Sequence, residues 1–246
     1  MNDSKKLSEF IGKGSEIAGS ATGCLLGFIA GGPIGAAVGG AAAPIFTMGL
    51  KAIGDYAQRV LSERESCRIA GVSALSINNI KERIDNGESL RSDSFFENDG
   101  FSNSSAYEIF EGMLLKARSD HEERKLPLYA HLFESVCFDP SISSDNANWI
   151  VQLLDNFTYR HFEILYCFIE LNEESKWIAN DIHALAKEHP FIAACITELQ
   201  NYQLLTQSFW GDSPVKISEF GARLIKIIQF SKVKSESYRE VYDVLK

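Results

Sequence analysis

The sequence predicts a mainly α-helical protein, and three observations carry that reading. Apolar residues recur at three- and four-residue spacing along most of the chain after Lys51. Helix signals punctuate the pattern: Ser105 three residues before Glu108, Pro127, Ser144, and the stop pair Asn86–Gly87. The one strand-like stretch is short, Val215-Lys216-Ile217. Three regions are expected: an apolar segment (1–50), a helical domain (51–150), and a small winged-helix-like domain ending in a C-terminal helix (151–246).

The first region is a run from Ile17 to Leu50 without a charged residue. Within it Gly19, Gly23, Gly27, Gly31, Gly35 and Gly39 fall at strict four-residue spacing. Glycine at every fourth position gives a helix a groove without side chains, into which another backbone can settle. As one helix the run would be roughly 50 Å long, more than the roughly 30 Å that a bilayer core demands. Gly31-Gly32-Pro33 in the middle and Pro44 near the end fit a helical hairpin equally well. Insertion is marginal: its strong apolar residues gain roughly 0.3 to 0.6 kcal/mol each at a helix centre. Nine glycines and two prolines oppose that gain, at about 1 and about 3 kcal/mol each relative to alanine. The expectation is a segment that can be stored in a soluble state and released, or that inserts when copies pack together. The six glycines are the candidate membrane and oligomerisation residues. A Gly/Ala-rich hairpin buried inside a soluble protein is the structural alternative.

In the second region, Ile53, Tyr56, Val60, Cys67, Ala70, Ala74, Ile77, Ile80 and Ile84 mark an amphipathic pattern, read as one long helix or two broken near Gly71. Residues 88–104 read as a polar loop pinned by Phe95, Phe96 and Phe101. Helices are expected over 106–124, over 126–138 and from Ser144. The run Asp120-His121-Glu122-Glu123-Arg124-Lys125 is read as a solvated face, because neighbours in sequence point in different directions round a helix.

In the third region helices are expected over 158–171, 179–188 and 190–206, then a polar turn, the short strand, a helix over 218–230 and a final amphipathic helix over 231–246. ELQNYQLL, a turn and VKISEFGARLIKII look like the third helix, wing and following helix of a winged helix-turn-helix domain. No Lys or Arg occurs between Glu188 and Val215, so reading DNA is not expected. Phe209 and Trp210 on the wing are candidate partner anchors, unless both rings fold back on the core.

The net charge of −9 and a pI near 5.1 oppose binding to phosphate backbones and anionic headgroups, so any membrane contact must be hydrophobic. Five scattered cysteines without a CxxC pair suit a reducing compartment. The polar start and Glu16 are unlike a signal peptide, and the basic residues after the apolar run favour a cytoplasmic C-terminal part. Cytoplasm, inner membrane or both are the expected location. Enzyme motifs are missing: no Gly-x-Ser-x-Gly, Walker lysine, HExxH or Cys/His nucleophile pair is present. No enzyme, catalytic residue, metal, cofactor, small-molecule substrate or nucleic-acid partner is expected.

Taken in order, the Gly/Ala-rich segment, a helical middle with EERKLPLYAHLFESVCFDP and an end with ISEFGARLIKII resemble the Abi-alpha type of bacterial abortive-infection proteins and related phage-defence membrane effectors. The resemblance is one of layout and a few phrases and carries over no catalytic residue. It implies a bacterial protein that halts growth or kills its host cell after sensing phage, by disturbing the inner membrane. Its partners would be itself, membrane lipid and a phage-encoded protein as trigger. A soluble or membrane-tethered adaptor, binding a protein through the winged-helix-like domain, is the alternative.

Overall fold

Helical spacing, caps and, after three of the described helices, a left-handed residue divide the chain into rods, and the computed structural model describes residues 62–97, 103–171, 182–207 and 215–246. The described residues are mainly helical. They belong to two compact units, Met1–Asn156 and Phe157–Lys246.

In the first unit, α1 (Glu63–Asp85) opens on a reciprocal capping box. The Ser62 hydroxyl accepts the Glu65 N–H, and the Glu65 carboxylate accepts the Ser62 N–H at 2.8 Å. The helix runs unbroken through Gly71 and stops at Asn86, followed by Gly87 at φ +89°, a backbone angle that favours glycine. A 3₁₀ turn, Ser94–Phe96, buries Phe95. Helix α2 (Ser105–Ser119) is capped by Ser104, one residue before the expected Ser105, and ends short of Arg124. Asp120 stops it by turning extended and accepting the Glu122 N–H on its own carboxylate. Helix α3 (Leu126–Phe138), with Pro127 in its first turn, is buried without interruption from Leu126 to Glu134 and packs against α1, α2 and α4 (Ser144–Asn156).

The expected solvated face at Asp120–Lys125 is corrected by this turn. Between α2 and α3 the chain folds back through a 3₁₀ turn, Glu123–Lys125, so that Lys125 Nζ meets Asp120 Oδ2 at 2.7 Å with both side chains nearly dry. Tyr129 donates to the same carboxylate at 3.1 Å. His121, Glu123 and Arg124 stay exposed.

In the second unit, α5 (Tyr159–Leu171) is the central helix, flanked by α7 (Pro190–Asn201), α8 (Glu219–Ile227) and α10 (Tyr238–Leu245). Helix α6 (Ile182–Glu188) precedes α7, and strands β1 (Leu205–Thr206) and β2 (Lys216–Ile217) pair antiparallel, Leu205 opposite Ile217. The helix expected over 190–206 ends at Asn201, where Gln203 adopts a left-handed φ of 57° and turns the chain into β1. Gln229 does the same at φ 49°. It separates α8 from α9 (Phe230–Val233), so the tail forms two helices and Phe230 turns into the core against Tyr159 and Phe162.

Gly221 permits a close backbone approach in this unit. A Cβ there would stand 2.3 Å from the Leu204 carbonyl oxygen, whereas one on Gly112 in α2 would meet nothing within 4 Å. Gly221→Ala is therefore expected to lose about 1 to 3 kcal/mol by overpacking, and Gly112→Ala to gain about 1 kcal/mol. Thermal denaturation of the two variants checks the opposite signs.

Candidate functional site

The sequence-derived candidates Gly19, Gly23, Gly27, Gly31, Gly35, Gly39, Phe209 and Trp210 lie outside the described residues, as does Phe101. The choice between one helix and a hairpin for the apolar run lies there too. Among the described residues, chemistry-bearing side chains collect in four places.

The first is a cradle for Arg91, from a stretch that reads as a polar loop. The chain returning from α1 drops this guanidinium onto the C-terminal end of α3. It donates to the carbonyls of Val136, Asp139 and Ile142 at 3.1, 3.3 and 3.0 Å, and grips Asp93 with Nε and a terminal nitrogen at 2.8 and 2.6 Å. The Phe95 ring lies 4.3 Å beneath it. The second lies between α1 and α3, where Asn79, the buried His131 and Glu134 meet around His131 Nδ1 at 3.2 and 2.9 Å. Arg83 stands 3.7 Å from Glu134 and covers the Phe138 ring. Both arrangements tie helix ends and faces together. Among the described residues no group of three metal-binding side chains converges.

The third and fourth lie in the second unit. Glu163, fully buried on α5, accepts hydrogen bonds from Ser235 and Ser237 between α9 and α10 and stands 3.3 Å from Arg160. One turn on, Lys234 sits between the rings of Tyr166 and Tyr238 and donates to Tyr166 and Glu170 at 2.9 Å each. Burial works against the Glu170 charge, but the Lys234 and Tyr166 hydrogen bonds outweigh it and hold that carboxyl below its ordinary range. The same contacts outweigh burial at Lys234 and raise its ammonium pKa. His161 closes α5 onto α7. Its Nδ1 accepts the Thr158 N–H at 3.2 Å, which leaves the proton on Nε2 facing Glu198 at 3.1 Å.

A groove of about 370 Å³ opens beside the start of α7, lined in part by Arg160, Glu188, Phe191, Val241 and Val244. Phe191 is 86% exposed, far more than any other large apolar side chain described. Helical spacing places Phe191 in a helix without revealing its exposure. Burial pushes the thiol of Cys167 up to about 12 and raises those of Cys137 and Cys195, away from the thiolate form. No described helix is long and apolar enough to cross a membrane.

Comparison with protein-family models, curated proteins and solved structures finds no match to this chain.

Two stability measurements check these clusters. Arg91→Ala leaves several α3-end carbonyls without their donor and is expected to cost about 2 to 3 kcal/mol in urea denaturation. The Glu170 carboxyl is depressed, so its contribution is present at neutral pH and lost as pH falls through its folded pKa, below the ordinary carboxylate range. The stability difference between the wild-type protein and Lys234→Met should therefore shrink on going from about pH 7 to about pH 3.

Proposed function

We propose that the protein is a bacterial anti-phage effector of the abortive-infection kind, which oligomerises and inserts into or permeabilises the inner membrane when triggered. The observation that carries this reading is the charge-free run Ile17–Leu50 with its six glycines at four-residue spacing. Such a run offers bare backbone for helix contacts inside lipid, where small residues at the interface drive association. Gly23, Gly27, Gly31 and Gly35 carry those contacts, lipid and further copies of the chain are the partners, and a phage-encoded protein is the trigger. The protein works from the cytoplasm or the inner membrane, with its C-terminal part cytoplasmic, and performs no catalysis.

The second unit is proposed to be a winged-helix variant turned to protein recognition. The order α5, α6, α7, β1, β2 supports this, with the two strands as the wing. A nucleic-acid role is not proposed, because α7 carries no Lys or Arg to meet phosphates. The exposed Phe191 beside its groove favours the adaptor as a second reading.

Expression in a bacterium while membrane potential is followed tests the leading reading. The wild-type protein should collapse the potential, and Gly23→Leu with Gly27→Leu should preserve it while the described units stay folded. Collapse by a stably folded double variant would refute the glycine contacts. Purified protein that leaves liposomes intact under every activating treatment would favour the adaptor.

A further inference from the structure

Helix α1 is buried from Ser66 to Ser73 without a break, eight consecutive residues that take in its whole circumference. Among the described elements its extensive neighbours are α2 and α3. Specific contacts mark the side those two occupy. Asn79 and Arg83 meet His131 and Glu134 of α3, while Glu65 and Arg68 meet Arg118 of α2. At about 100° per residue, Ser66, Ala70, Ser73 and Ile77 point about 120° to 180° away from Asn79. That far face is as dry as the near one, with exposures of 0, 2, 0 and 7%. The hydroxyl of Ser66 is buried on it and has no hydrogen-bond partner among the described residues. A face that is dry, uncharged and holds an unanswered hydroxyl belongs against another piece of backbone.

We propose that this far face of α1 is the resting seat of the apolar segment Ile17–Leu50. The chain outside the described residues enters the fold at Ser62, the cap of α1 itself. Eleven residues separate Leu50 from Ser62, enough to reach anywhere along α1, since an extended chain covers about 3.3 Å per residue. From Ser66 to Ile77 the face is about 17 Å long, which a hairpin arm of the segment spans in about a dozen residues. The surfaces match in kind: small side chains at Ser66, Ala70 and Ser73 face glycines at every fourth position, so two backbones approach closely without leaving a void. The inference deepens the membrane reading by naming what holds the segment in its stored state. The docking itself does not need that reading.

A photo-activated cross-linking side chain at Ala74, half-buried on the same side of α1, tests the docking in the full chain in detergent-free buffer. The result expected is an intramolecular link to peptides within 17–50, lost when the cross-linker sits at the exposed Gln152 on α4. Links solely to other segments or to an isotopically marked second copy, or no link above the Gln152 control, would overturn the proposal. Ala70→Trp gives an independent reading: overpacking the seat should raise the fraction of protein that floats with phosphatidylethanolamine/phosphatidylglycerol vesicles at least about fivefold. A link at Ala74 with no vesicle binding by Ala70→Trp leaves the docking standing and removes the membrane reading. Vesicle leakage without the link does the reverse.

Discussion

A helix surrounded on all sides keeps a buried charge or imidazole where the protein itself answers it, and this constraint organises both units. In the first unit α3 is dry from Leu126 to Glu134, yet it carries His131 and Glu134 and begins beside Lys125. Each meets a partner from a neighbouring element or turn: Asn79 and Arg83 from α1, Asp120 from the end of α2. In the second unit α5 buries Glu163 and His161, and Arg160, Ser235, Ser237 and Glu198 answer them. An unpaired charge at any of these places would cost several kcal/mol. The pairings therefore fix which helix faces which, in a way that leucine-on-leucine contacts alone do not.

Helix type and order were legible because they are local. Pro127 marks a start by backbone chemistry that does not depend on neighbours, and Asn86–Gly87 marks a stop in the same way; the start expected near Ser144 is capped one residue earlier, where the Ser143 hydroxyl accepts the Asn146 N–H. Ends set by contacts made later in the chain were harder to read. Asp120 looks like one more polar residue on a helix until Lys125 and Tyr129 close on it. Gln203 and Gln229 carry left-handed turns usually given to glycine or asparagine, so the end of α7 and the break before α9 left no sign. Arg91 sits in a serine- and aspartate-rich stretch that reads as solvent-exposed chain. Its burial follows from carbonyls more than forty positions away, as with Val136 at a separation of 45. Of the candidate sites, the glycine stripe and the wing aromatics rest on sequence alone, whereas Phe191 was found through its exposure.

The proposed function rests on joining a helical body to a segment of opposite chemistry. The described helices hold charge on their outer faces and spend their buried polar groups on one another. The run Ile17–Leu50 has no charge to spend and nine glycines where a membrane anchor would carry leucine. Such a segment is poorly held by lipid as a single copy and poorly held by water at any time. It gains most from close contact with another bare backbone, either a face of its own protein or another copy within a bilayer. On this account the choice between those two contacts is the switch.

The most direct measurement uses the native Cys24, which lies inside the glycine run. A spin label on that thiol, in a chain with Cys195→Ser to remove the half-buried competitor, reports its surroundings through relaxation by oxygen and by a water-soluble nickel chelate. The account predicts that, on activation with liposomes, oxygen relaxes the label strongly and nickel hardly at all, as at bilayer depth. A label that nickel reaches freely in every condition would contradict it.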